Sequence, residues 1–322
     1  MPGADAAHLT AAAVAQLAGV PHGRLYLKVD STLRGSVAAQ VAGALAERRR
    51  THPDAFAVVC PAYPAMGRTV SGGALLVDGV PVHETAAGTD PVTPVTTPRL
   101  ADLVPGGITL PAPDTCADAL AALDAHGEPG AVLCVDATTE QHLAALAAAV
   151  TGLGARAIPV GSAGLARHLA SAWRAEPTRA TPRAPLSGRR AVVVRSSANA
   201  ASREQVARLL AAGPDPRVTV LEAPDRAGGD RDPVAVASEL AGRVLTEVAA
   251  GADTLVLLGG DGAEAVLDRL GHTTLRVLGS VVEGVPLLQT TTPAPLTVAT
   301  KAGGFGAADT LTAILEELLE EE

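Results

Sequence analysis

Short runs of β-branched residues recur along this chain, each separated from the next by a longer stretch rich in Ala and Leu. The first kind of segment fits a pleated strand and the second a helix. Alternating the two requires crossover connections, which build a largely parallel sheet with helices on its faces. In the first half, 25–29, 55–60, 132–135 and 155–160 read as strands, and 36–49, 117–126, 140–150 and 164–173 as helices. Three prolines and no apolar period mark the stretch around 175–187 as a linker. Beyond it the alternation restarts, with strands at 191–194, 218–221 and 254–258 and helices at 203–212, 234–250 and 263–270. A chain of 322 residues suits two α/β domains, here expected at 1–174 and 188–322, each a largely parallel sheet with flanking helices. Three stretches depart from the alternation. Residues 75–82 read as a hairpin turning at Asp78-Gly79, 91–113 as a Pro-rich surface loop, and a closing helix from 308 runs into 316–322, a solvated, fraying acidic tail.

Aromatic residues make up 2% of the chain, so the core must be built from Ala, Val and Leu. A net charge of −9 without a basic, aromatic-rich stretch argues against nucleic acid as a partner. No uninterrupted apolar span of about 20 residues is present, which argues against a membrane helix. The three cysteines lack C-x-x-C spacing, and Cys60 and Cys134 end apolar runs as small core residues. Together with the lack of a charged-then-apolar leader, this predicts a reducing, cytoplasmic setting. A homo-oligomer is compatible with the sequence.

Clusters of small residues follow several strand-like runs: L-G-G-D-G-A at 258–263, E-G-V-P at 283–286 and T-K-A-G-G-F-G at 300–306. A glycine turn between a strand and a helix aims free N–H groups at one point, which suits phosphate. Two such turns, one holding Asp261 and the other Lys301, each read alone as ordinary tight turns; together they point equally to a nucleotide phosphate site. In the first half, K-V-D-S-T-L-R-G at 28–35 puts Asp30 at a strand's carboxyl end, where open α/β sheets place ligands. Arg34 offers a planar fork for a carboxylate or phosphate, or is a surface charge. C-P-A-Y-P-A-M-G-R at 60–68 is a proline-stiffened loop ending in Arg68, read equally as a held guanidinium or a rigid connector. V-G-S-A-G-L at 160–165 is a capped turn lacking the G-x-S-x-G pattern of a nucleophile elbow. In V-V-V-R-S-S-A-N at 192–199, Ser197 and Asn199 stand at a helix start, as phosphate or adenine contacts or as caps. There is no G-x-x-x-x-G-K-[ST] loop, no G-x-G-x-x-G after a strand and no metal-ligand spacing among the eight histidines.

In this order and spacing, the motifs resemble the four-carbon acid sugar kinase family, whose members phosphorylate threonate, erythronate or 3-oxo-tetronate. The likeness spans Lys28 to Gly306 and includes Val135-Asp136 and G-S-A-G-L-A. It implies an N-terminal domain for the sugar acid and a C-terminal domain for ATP, with Mg²⁺ bridging the phosphates. Asp30 and Arg34 are the implied catalytic residues, and Lys28, Ser31 and Arg68 the implied acid contacts. Ser197, Asn199, Gly259, Gly260, Asp261, Gly262 and Gly303 are the implied nucleotide contacts. Lys301 reads as a charge neutraliser or as a surface lysine at a strand end. No dedicated protein metal site is expected.

Three departures accompany the resemblance. The family pattern opens with a strand and Asp-Asp-x-Thr-Gly-Ala, which this sequence does not contain, so a shortened acid domain with weak or absent turnover is expected. A ligand-binding remnant of such a kinase is the alternative reading, and a generic two-domain α/β binding protein a third. The family's Gly-Ser at the start of the C-terminal domain is Ser196-Ser197 here, with Asn199 in place of a later Ser. Its usual Thr after Gly-Gly-Asp is Gly262.

Overall fold

The computed structural model describes residues 3–17, 24–90, 92–173, 188–197, 199–213, 215–223, 233–291 and 295–319. The expected linker, 175–187, lies outside them. The chain divides into two compact units, Met1–Pro177 and Thr178–Glu322.

In the first unit the elements follow in the order α1 (Gly3–Leu17), β1 (Leu27–Lys28), α2 (Val37–Arg48), β2 (Phe56–Cys60), β3 (Arg68–Ser71), β4 (Ala74–Val77), β5 (Val80–Pro81), α3 (Leu100–Leu103), β6 (Gly107–Leu110), α4 (Cys116–His126), β7 (Val132–Val135), α5 (Glu140–Leu153), β8 (Ala157–Gly161) and α6 (Ala163–Trp173). Five strands form a sheet in the order β1-β8-β2-β7-β6, every pair parallel. A parallel sheet is covered on both faces, so its inner strands need unbroken apolar runs. All five residues of β2 and of β8 are accordingly buried. Cys60 and Cys134 are core thiols, and burial pushes each up to about 12. The helix starts are written in the sequence. Thr115 and Asp118 form a reciprocal capping box on α4, and the Thr139 hydroxyl accepts from the His142 amide of α5.

A separate antiparallel sheet, β3-β4-β5, contains the expected hairpin. Asp78 and Gly79, at φ 51° and 80°, make its two-residue turn. The reading of 91–113 as a surface loop fails in its second half. That stretch contains α3 and β6, and β6 pairs with β7 at the sheet edge. The residues of β6 are half-exposed and too few for a visible period, so pairing rather than pattern makes them a strand.

The second unit continues with β9 (Ala191–Arg195), α7 (Ala200–Ala211), β10 (Val218–Glu222), α8 (Pro233–Ala249), β11 (Thr254–Leu258), α9 (Gly260–Arg269), β12 (Leu275–Val282), β13 (Val285–Thr290), β14 (Thr297–Lys301) and α10 (Thr310–Leu318). The sheet order is β10-β9-β11-β14-β13-β12. The first four strands are parallel; β13 and β12 add on antiparallel. Strand residues alternate between two cores. Val193 and Val256 pack with α7 and α10, whereas Val192, Val194, Leu255 and Leu257 pack with α8 and α9. E-G-V-P forms the hairpin turn between β12 and β13. The helix expected from 308 closes the chain as α10, and the acidic end, as far as it is described, is docked rather than frayed: Leu311, Ile314, Leu315 and Leu318 are buried while Glu316 and Glu317 face outward.

Close approach of α1 to α2 depends on Gly43, where a Cβ would lie 2.2 Å from the Ala7 carbonyl oxygen. Gly43→Ala is therefore expected to destabilise the protein by about 1–3 kcal/mol. Gly152→Ala, which meets nothing within 4 Å, should leave stability unchanged or raise it by up to about 1 kcal/mol. Urea denaturation of both variants checks the pair; equal effects would contradict the packing.

Candidate active site

In the first unit, β1 delivers the chain to Asp30. The Thr32 amide donates to the Asp30 carboxylate at 2.9 Å, and the Thr32 hydroxyl donates to the same oxygen. Leu33, at φ 58°, turns the chain back, and Arg34 reaches the other Asp30 oxygen at 3.1 Å. The second arm of Arg34 meets Asp90 at 3.0 Å, and Asp90 is itself held by the amides of Val92 and Thr93. Burial alone would raise the Asp30 carboxyl. The hydrogen bond and charge of Arg34, with the two Thr32 bonds, outweigh it and hold Asp30 below the usual carboxylate range. Asp30 is thus a fixed anion, better suited to orienting a hydroxyl than to taking up its proton.

The proline loop closes on itself, since Tyr63 and Arg68 exchange backbone hydrogen bonds of 2.7 and 3.1 Å. The Ala65 amide is pinned by Glu140 at 3.0 Å, whose other oxygen pairs with His168 at 2.8 Å. Arg68 is buried and donates to the Met66 carbonyl. Its burial lowers it, while the charges of Asp78 and Asp30 act in the opposite sense. Asp30 follows β1, and Arg68 opens β3 at the end of the loop that leaves β2. Of the remaining expected acid contacts, Ser31 is buried, and exposed Lys28 donates to the Val29 carbonyl at 2.8 Å. Asp136 is a structural anion that accepts the amides of Gly72 and Gly73 at the β3–β4 turn. Asp90 and Glu140 escape sequence reasoning, because nothing local ties Asp90 to an arginine 56 positions earlier.

In the second unit, the expected nucleotide contacts gather at the carboxyl ends of β9, β11 and β14. Chain order reverses there: β9 leads through α7 to β10 on one side, and α8 returns the chain to β11 on the other. Such a switch point opens a crevice at the strand ends. Ser196 and Ser197 both donate their amides to the Leu258 carbonyl at 3.1 Å. Asn199 caps α7, its side chain accepting from Ala201 at 2.9 Å, and its own amide donates to the Ser197 hydroxyl at 3.2 Å. Gly259, at φ 112°, leads directly into α9, whose first amides belong to Gly260, Asp261 and Gly262. Those amides have no carbonyl four residues back within the helix, and among the described residues no side chain caps them. The last glycine cluster closes in from β14. A Cβ on Gly303 would stand 2.0 Å from the Ser197 hydroxyl oxygen, and one on Gly304 3.2 Å from the Asn199 amide nitrogen.

Three side chains hold this last loop. Ser202 donates to the Gly303 carbonyl at 2.7 Å, and Gln205 donates to the carbonyls of Phe305, Gly306 and Ala307 at 3.1, 3.2 and 2.8 Å. Their spacing of three on α7 puts them on one helical face, a signal present in the sequence. The third is Lys301. Far from being a surface lysine, it is 2% exposed and donates to Ala302 and Phe305 carbonyls at 3.0 and 2.7 Å. Arg195 is also buried, bonding Glu222 at 2.5 Å and the carbonyls of Ser197 and Ala223 at 2.9 and 3.2 Å.

A model of a sugar-binding N-terminal domain matches residues 1–169, and a model of a nucleotide-binding C-terminal domain matches residues 133–311. A D-threonate kinase of Bordetella bronchiseptica is 39% identical, over 98% of this chain and 83% of that protein. The chain belongs to the four-carbon acid sugar kinase family. A 3-oxo-tetronate kinase of Brucella melitensis is 28% identical, over 86% of this chain and 73% of that protein. A Bordetella bronchiseptica protein of 37% identity was solved with citrate bound, as a domain-swapped dimer; it matches all of this chain and 86% of its own, with a TM-score of 0.50. Among the described residues, no helix is long and apolar enough to cross a membrane.

Burial pushes Lys301 down to about 8. Unfolding returns it to the ordinary lysine value, so above about pH 8 the unfolded chain binds more protons than the folded one, and stability rises with pH. Relative to Lys301→Met, the wild-type protein should gain up to roughly 1 kcal/mol per pH unit between about pH 8 and 10. Urea melts of both proteins across that range test this; a wild-type advantage that stays level or falls contradicts it.

Proposed function

We propose that this chain transfers the terminal phosphoryl group of ATP to a hydroxyl of a four-carbon sugar acid, with D-threonate as the preferred acceptor. The observation that carries the nucleotide half is the meeting of two glycine turns and the uncapped start of α9 at a switch point of the second unit. Backbone amides there suit phosphate oxygens, since the helix dipole favours negative charge and glycine lets the ligand come close. In this reading Gly259, Gly260, Gly262 and Gly303 line the phosphates, Ser197 and Asn199 border them, and Asp261 faces the accompanying cation. A carboxylate, backbone carbonyls and hydroxyls make an oxygen-rich setting that suits Mg²⁺, which would ride mainly on the phosphates. Its contribution is to neutralise the phosphate charge.

Arg68 and Arg34 are the proposed grips for the acid carboxylate and the transferring group, with Ser31 and Lys28 behind them. Asp30, kept ionised by Arg34, orients the attacking hydroxyl. Positioning and charge neutralisation dominate this class of reaction, so a weakly basic Asp30 is no obstacle. The identity to a D-threonate kinase supports the choice of acceptor, and the citrate bound to the Bordetella protein supports a carboxylate site. That protein's dimer supports a homo-oligomeric state here as well.

The test is ADP release with D-threonate, D-erythronate and 3-oxo-tetronate. Release that depends on the acid, greatest with D-threonate, is expected, in place of the weak or absent turnover suggested by the lack of an Asp-Asp-x-Thr-Gly-Ala motif. Saturable ATP binding without acid-dependent release would replace the kinase by the ligand-binding alternative. Arg68→Ala should weaken acid binding roughly 10- to 150-fold, the worth of a charge-assisted hydrogen bond, and leave ATP affinity nearly unchanged. Separate titrations of acid and ATP decide, and an equal or larger loss for ATP contradicts the assignment.

A further inference from the structure

Ser196 has no role in the site as described, yet its side chain stands in the middle of it. Its Oγ lies 2.1 Å, and its Cβ 2.2 Å, from the point where a Cβ on Gly262 would sit. The same oxygen lies 2.6 Å from the corresponding point on Gly259. Any side chain at 262 would have to displace Ser196. The hydroxymethyl group of Ser196 therefore fills the side-chain space of residue 262, at the uncapped start of α9.

The hydroxyl is also free to change partner. It donates to the Leu258 carbonyl at 3.0 Å, and that oxygen already accepts the Ser196 and Ser197 amides at 3.1 Å. A carbonyl has two lone pairs, so the third donor is the most easily given up. It is the only rotatable donor of the three. Turning the O–H toward an incoming phosphate leaves Leu258 satisfied.

We propose that Ser196 and Gly262 act as one unit of the nucleotide site: Gly262 leaves the room, and Ser196 supplies through it a hydroxyl that donates to a phosphate oxygen beside the α9 amides. The two departures in the sequence, a Ser where the resemblance leads to Gly and a Gly where it leads to Thr, are then one exchange that moves a hydroxyl from one wall of the crevice to the other. The inference rests on the ATP reading above.

The experiment is a cycle in the full-length protein, with ATP dissociation constants by calorimetry, KM for each substrate, kcat and melting temperature. Ser196→Ala removes the hydroxyl with little change of shape. It should weaken ATP roughly 10- to 150-fold with the acid KM unchanged. Gly262→Thr alone should lose both ATP affinity and melting temperature by forcing Ser196 aside. Ser196→Gly with Gly262→Thr should recover both, with ATP affinity within roughly threefold of wild type, the signature of a strongly coupled pair. Unchanged ATP affinity in Ser196→Ala overturns the hydroxyl's role. A double variant no better than the poorer single one, or unfolded, overturns the exchange. Gly303→Val separates the two levels of the account. If wild type binds ATP, Gly303→Val does not, and Ser196→Ala is silent, only this inference falls. If wild type fails to bind ATP, or Gly303→Val binds it normally, the nucleotide site falls and takes this inference with it.

Discussion

Close backbone packing at the carboxyl end of the second sheet is the constraint from which the rest of that unit follows. One oxygen, the Leu258 carbonyl, accepts the amides of Ser196 and Ser197, which joins the end of β9 to the end of β11. The Gly259 amide donates to the Lys301 carbonyl at 3.0 Å and joins β11 to β14. With three strand ends drawn so close, side chains have no room at 262 and 303, and glycine stands at both. The helix that begins at 260 then points its uncapped amides into the same space.

Rigidity there comes from buried polar groups rather than from apolar contact. Lys301, Gln205 and Ser202 hold carbonyls of the 302–307 loop, and Arg195 bridges β10 to the backbone of Ser197. A carbonyl left unpaired in such a place would cost about 1–3 kcal/mol, so each of these donors stabilises a loop that has little apolar surface of its own. The first unit uses charge instead. Asp30, Arg34 and Asp90 form a chain of ion pairs, and buried Arg68 feels the Asp30 charge. In the proposed reading, the two cationic forks meet the acid's carboxylate and the fixed Asp30 carboxylate accepts from its hydroxyl.

Much of the fold is legible in the sequence because parallel strands covered on both faces must be apolar throughout. The β7 and β11 boundaries coincide with the expected ones for that reason. The elements that escape are those set by partners: β6, half-exposed at a sheet edge, and β3 and β13, which owe their state to hairpin pairing. Asp78-Gly79 betrays its hairpin because φ above zero is demanded at both residues. The glycine turns announce a crevice but not what holds it shut. Lys301 looks like a strand-end lysine in one dimension, but it is buried and its ammonium donates to the carbonyls of Ala302 and Phe305. Likewise, no local pattern pairs Arg34 with Asp90 or Glu140 with Ala65.

The central claim is that one chain carries two ligand sites of different chemistry, one in each unit. Hydrogen exchange of the full-length protein, read by mass spectrometry with each ligand separately, tests it most directly. With ATP and Mg²⁺, protection should appear in the peptides covering 196–199, 259–263 and 301–306, leaving 30–34 and 61–68 unchanged. With D-threonate alone the pattern should reverse. Protection by ATP in the first unit, or by D-threonate at the glycine turns of the second, would contradict the account.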